Sequence, residues 1–338
     1  MPSIDSLADE TLQQIWRSGF DDLPAFDGGL SKIRVPDRVR RATLRSCALT
    51  CRRWAVGVVG VQYERVWLDD DEGVQLLLDL LSTQPLLRPR IKQLIAFGAL
   101  DDDELYPWLS HLTALATQGK THYRWPSTLS TLHVWRVQPD DTISLPRGLV
   151  NLGITFLEPA ESVIHEYQDY IGIAGRLHSL DVAITSTPVE ETAIGCIVAQ
   201  ATMLRRLALR GFCGQELRSL FGHAEMIEAS LHHLSDVLLV STESPGELLA
   251  PVWPRALRRL TFAVARRPER TWTFNGDELE VFVGAHTLST LASLTLLADF
   301  TALELADLRT WSLETSHAPA DFVIRGITES DRIHCRFD

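Results

Sequence analysis

The sequence predicts an α/β solenoid: a helical unit over residues 1–62, then short parallel strands over residues 63–338, each returned by a helix. Three observations point there. The first is the stretch Leu149-Val-Asn-Leu-Gly-Ile-Thr-Phe-Leu157, in which Leu152 and Ile154 alternate as a half-buried strand does, while Leu149 and Leu157 suit the bends at its ends. The second is that this phrase recurs. The third is that the spacers between its copies read as helices. A single strand of this length is unstable alone and needs a copy stacked beside it.

The copies begin at Ile91, Leu129, Leu149, Leu177, Leu204, Leu234, Leu257 and Leu291. From Leu149 onward the starts lie 28, 27, 30, 23 and 34 residues apart, a period that belongs to stacked-repeat architectures. Leu204, Leu207, Leu209 and Phe212 fit the template fully; Leu234, Val237, Leu239 and Thr242 fit it loosely.

In chain order, residues 3–20 read as a helix, with Ser6 as its cap and Leu7, Leu12, Ile15 and Trp16 at helical spacing. Asp21, Pro24, Asp27, Gly28 and Gly29 then mark a loop over residues 19–36, and a second helix starts near Asp37 and runs to Trp54. Tyr63–Leu68 looks like the first strand. Helices are predicted over residues 72–82, 101–117, 160–173, 189–202, 214–229, 276–287 and 301–311. Phe322, Ile324 and Ile327 carry the last repeats, with Ile333, Cys335 and Phe337 closing the stack.

The N-terminal portion resembles an F-box. Leu7-Ala-Asp-Glu-Thr-Leu-Gln-Gln-Ile-Trp16 matches that family's opening and Leu49-Thr-Cys-Arg-Arg-Trp54 its close, over about residues 5–68. Ala8 stands where the family has proline, Thr50 where it has valine, and residues 19–36 form an insertion. The resemblance implies docking on the adaptor of an SCF-type ubiquitin ligase, and through it on a cullin, by Leu7, Leu12, Ile15, Trp16, Leu49, Cys51, Arg52 and Trp54. Physics agrees in part: so small a helical unit has too little core to bury all these side chains internally. The competing reading makes the unit a helical cap on the solenoid.

The repeat phrase resembles the leucine-rich repeat, over roughly residues 63–338. That implies strands on a concave face, helices on a convex one, and target binding on the concave face. The asparagine that usually follows the strand in that family is missing almost everywhere; the chain has only Asn151 and Asn275. Outward positions between the leucines include His133, Trp135, Arg206, Arg210 and Arg259, the candidate target-binding residues. Arginine and tryptophan commonly anchor interfaces, and arginines here would favour an acidic or phosphorylated ligand.

The 338 residues carry a formal charge of −12 and 45% hydrophobic residues. Such a balance fits a folded, water-soluble protein and argues against general affinity for nucleic acid. Five scattered cysteines read as reduced thiols, the acidic N-terminus lacks signal-peptide character, and no apolar run is long enough to span a bilayer. A cytoplasmic or nuclear protein is expected.

Metal and catalytic signals are weak. Asp69–Glu72 and Asp101–Glu104 lack calcium-loop spacing and read as helix starts. Cys47 and Cys51 have no second ligand pair nearby, and His232-His233 reads as surface. No nucleophile elbow, phosphate loop or dinucleotide fingerprint is present. The expected protein is therefore a non-enzymatic substrate receptor of a ubiquitin ligase, without cofactor or metal. The alternative is a stand-alone leucine-rich-repeat interaction scaffold.

Overall fold

The computed structural model describes, with short interruptions, residues 63–96, 105–118, 125–137, 145–156, 173–184, 197–212, 231–264 and 275–326, with Ser46, Leu49, Val58, Val61, Leu217, Leu220 and Thr273. The helix expected at 3–20 lies outside these residues, as does that expected at 37–54 apart from Ser46, which is helical, and Leu49. So does most of the helical material expected at 160–173, 189–202 and 214–229, and so do Ile327 and residues beyond it.

The described residues divide into two compact units, parting between Leu129 and Ser130. The first holds β1 (Arg65–Leu68), β2 (Gln93–Ala96) and β3 (Ala114–Gln118). The second holds β4 (Thr131–Val137), β5 (Asn151–Phe156), β6 (Ser179–Ile184), β7 (Arg206–Arg210), β8 (Asp236–Ser241), β9 (Arg259–Val264), β10 (Ser293–Leu297) and β11 (Asp321–Arg325). Within each unit the strand order follows the chain, and every pair is parallel.

The sequence repeat is the register. Leu132, Leu152, Leu180, Leu207, Val237, Leu260, Leu294 and Phe322 are successive partners across β4–β11. One step along, so are Val134, Ile154, Val182, Leu209, Leu239, Phe262, Leu296 and Ile324. Apart from the two on β11, all are buried. A one-residue slip would turn a whole strand's leucines to the opposite face, so the apolar pattern alone enforces this pairing.

The bend ahead of each strand repeats as well. The amides of Leu112, Leu129, Leu149, Leu177, Leu204, Leu234, Leu257 and Leu291 each donate to the carbonyl three residues earlier. Those earlier residues are Leu109, Pro126, Pro146, Ala174, Ala201, Leu231, Pro254 and Leu288, all buried. Each repeat then hooks onto the previous one. Val150 and Asn151 both donate to the Ser130 carbonyl, at 2.8 and 3.0 Å, and the pattern recurs down to Ala292 and Ser293 on Arg258. This ladder satisfies backbone groups at the strand starts.

Beside β9 and β11, helices of the second unit pack on the leucine face. α1 (Asp71–Thr83) belongs to the first unit and is capped by Asp70, whose side chain accepts from the Gly73 amide, as the helix-start reading of the acidic run requires. After a 3-10 turn over Pro85–Arg90 comes α2 (Leu105–Trp108), a single turn. In the second unit, α3 (Gly276–Val283), α4 (Ala285–Thr290) and α5 (Ala302–Glu314) fall on the helical spacers expected there. Asn275 caps α3, and a Thr301–Glu304 capping box starts α5. Phe282 of α3 packs on Phe262 of the spine and meets Trp253 edge-on, while Trp311 of α5 meets Phe322. Gly276 is required where it stands, since a Cβ there would run into the Trp311 ring.

One expectation fails. Residues 101–117 are not a continuous helix: the helix is α2 alone, and residues 114–118 are β3, paired with β2 through Leu94 and Leu115. Leu112-Thr-Ala-Leu115-Ala-Thr117 is a further copy of the repeat. Its Leu-x-x-Leu spacing also fits a helix, and Thr117 in the third apolar place, buried nonetheless, hides the match.

Candidate binding face

Strand alternation sends the residues between the spine positions to the opposite face. In the second unit they form three columns. The first runs Thr131, Asn151, Ser179, Arg206, Asp236, Arg259 and Ser293; the second His133, Gly153, Asp181, Ala208, Leu238, Thr261 and Thr295; the third continues through Thr155, Ala183, Arg210, Val240, Ala263 and Leu297.

At the centre stands a cluster spread over four strands. Arg210 donates from Nε and Nη2 to the two carboxylate oxygens of Asp181, at 2.9 and 2.8 Å. The fork is largely out of water, with side-chain exposures of 7% for Arg210 and 16% for Asp181. Burial works against ionisation of Asp181, but the guanidinium beside it, its hydrogen bonds and the more distant His133 and Arg206 win, so the carboxyl stays below its usual range. His133 is half-buried on β4, and a Cβ on Gly153 would collide with its imidazole. Glycine at 153 is therefore what lets the ring lie across β5 toward Asp181. Burial lowers the His133 pKa; Asp181 pulls it back and Arg210 pushes the same way as burial.

The first column is polar and internally paired. Asn151 Nδ2 donates to Thr131 Oγ1 at 3.0 Å. Arg259 clasps Asp236 through Nε at 2.5 Å and Nη2 at 2.9 Å, but its side chain is 67% exposed. Arg206 is half-buried, with Asp236 its register partner.

The third column departs from a wet binding face. Val240, Ala263 and Leu297 are buried as a cluster of their own, with Leu238 packed against it. The exit turn beside it uses Gly211 at φ 80°, whose amide donates to the Val240 carbonyl. Ser241 satisfies backbone groups there: its Oγ donates to the Phe212 carbonyl and accepts from the Glu243 amide.

Of the five candidate target-binding residues, then, His133 and Arg210 share one cluster, Arg206 and Arg259 flank Asp236, and Trp135 lies in β4 with its side chain outside the described residues. Sequence reasoning did not single out Asp181, Asp236 or Gly153. Of the adaptor-docking candidates, Leu49 is exposed, whereas Leu7, Leu12, Ile15, Trp16, Cys51, Arg52 and Trp54 lie outside the described residues. His232 and His233 are exposed, their rings 4.1 Å apart. Among the described residues there is no cluster of three metal-ligating side chains. No described helix is long and apolar enough to cross a membrane. No protein-family model matches the chain, and no curated protein matches it significantly.

Proposed function

We propose that the chain recruits a target protein to an SCF-type ubiquitin ligase, its N-terminal stretch docking the ligase adaptor and its repeat array holding the target. The observation that carries this is Leu49. It opens the phrase Leu49-Thr-Cys-Arg-Arg-Trp54, and it is 87% exposed. A lone exposed leucine is ordinary; one inside a phrase that resembles a docking motif has a stated use. The repeat array supports the other half of the reading, because stacked parallel repeats offer a long continuous surface to a partner. In such a role the chain contributes proximity, raising the effective concentration of the target near a catalyst it does not itself contain. A cytoplasmic or nuclear location goes with this reading.

The test is co-expression with the adaptor. A stable complex is expected from the unaltered chain, and loss of that complex from Leu12→Asp combined with Trp54→Ala, with the protein still soluble. Failure of the unaltered chain to bind would leave a stand-alone interaction scaffold. Insolubility of the double variant would point to a helical cap on the repeats.

A further inference from the structure

The starts of β5–β9 and the bends ahead of them gather positive charge. Arg147 precedes β5, Arg176 precedes β6, Arg205-Arg206 open β7, and Arg255 with Arg258-Arg259 surround the start of β9. Over residues 147–151, 175–179, 202–206, 232–236 and 255–259, seven arginines face one carboxylate, Asp236, a surplus of six positive charges. The full chain has a formal charge of −12. All of these arginines except half-buried Arg206 are exposed.

Arg259 of this rim is paired with Asp236, whereas two of its exposed arginines rest on uncharged acceptors. Arg176 Nη1 donates to the Arg147 carbonyl at 3.1 Å, and Arg258 Nη1 to the Thr290 carbonyl at 3.3 Å. Each guanidinium thus leans on the neighbouring bend through an uncharged acceptor and keeps its charge. Anchored side chains lose less rotamer freedom when they bind.

From these observations we infer that the rim of strand starts over β5–β9 binds an extended, Asp/Glu-rich peptide segment. Neighbouring strands lie about 4.8 Å apart, so five strand starts span about 20 Å, the length of about six extended residues. Guanidinium forks match carboxylates in geometry, two hydrogen bonds at a time. Screening over about 8 Å at physiological salt lets a short peptide feel the rim more than the distant net charge. A long nucleic acid would meet that net negative charge, and the rim runs contain no Phe, Tyr or Trp on which bases could stack. The inference goes beyond the ligase reading and does not depend on it.

The test uses the full chain and fluorescence anisotropy. The probes are a labelled acidic peptide of about eight alternating Glu and Asp residues, its Gln/Asn counterpart, and a single-stranded oligonucleotide of equal length. The acidic peptide should bind, the amide peptide should not, and affinity should fall by about tenfold between about 50 and 200 mM salt. Arg147→Glu with Arg205→Glu should weaken binding by about tenfold or more. Arg90→Glu with Arg309→Glu, the same charge change placed elsewhere, should leave it within about twofold. Should the rim variant melt early, Arg205→Gln is expected to weaken binding by about threefold with the fold intact. No binding of the acidic peptide, binding that survives the rim substitutions, or tighter binding of the oligonucleotide would each overturn the inference.

Discussion

Asp181→Asn separates charge from shape at the centre of the strand face. The substitution keeps the side chain's outline and one acceptor for Arg210, but removes the charge that compensates a guanidinium only 7% exposed. Breaking a buried pair from one side costs about 3–5 kcal/mol, whereas an exposed pair contributes about 0–1 kcal/mol. Asp181 retains 16% exposure and asparagine can still accept one bond, so about 2–3 kcal/mol is the expected loss. The chain supplies its own control. Arg259 clasps Asp236 with the same fork, but at 67% and 23% exposure, and Asp236→Asn should cost at most about 1 kcal/mol. Urea unfolding of the three proteins measures both losses on one scale, and at a slope of about 2 kcal/mol per molar the Asp181 variant's midpoint should fall by about 1 M or more. Equal midpoints for the two variants would refute the claim that burial, and not fork geometry, sets the strength of these pairs.

Two further outcomes follow from the same cluster. The His133 pKa is lowered from 6.5, chiefly by burial, so the folded chain prefers the neutral ring. That contribution is complete above about pH 6.5 and is lost as pH falls through the lower folded value. Unfolding midpoints measured between about pH 7.5 and 5 should decline, and His133→Gln should flatten part of the decline; an unchanged slope would remove His133 from the account. Gly153→Ala should destabilise by about 1–3 kcal/mol, because its Cβ meets the His133 ring. In a His133→Ala background the same change should be nearly free, and a denaturation cycle that shows simple additivity would contradict the contact.

The spine of this fold was legible because Leu-x-x-Leu-x-Leu specifies both the strand face and its register, and parallel stacking of such phrases follows from one-face burial. The strand β3 was not legible: Leu112 and Leu115 lie three apart, a spacing shared by helix and repeat, and Thr117 occupies the third apolar place. The buried residue three before each opening leucine was missed as well, although Pro126, Pro146 and Pro254 stand at the same offset and carry the signal. The pairing of Arg210 with Asp181 could not be read, since 29 residues separate them and only the register makes them neighbours. The role of Gly153 was equally hidden, because it depends on a ring borne by another strand.

The pairings also move the place where an anion would bind. Read as isolated side chains, Arg210 and Arg259 made the strand face attractive to acidic ligands. With Asp181 and Asp236 clasped to them, most of that face's positive charge is answered from within, and the buried Val240, Ala263 and Leu297 beside it offer an anion nothing. The arginines ahead of the strands differ in one physical respect: Arg176 and Arg258 rest on carbonyls. A carbonyl orients a guanidinium without cancelling its charge, and a carboxylate does both. It is this difference in acceptor, more than the number of arginines, that makes the rim of strand starts the stronger attractor for carboxylates.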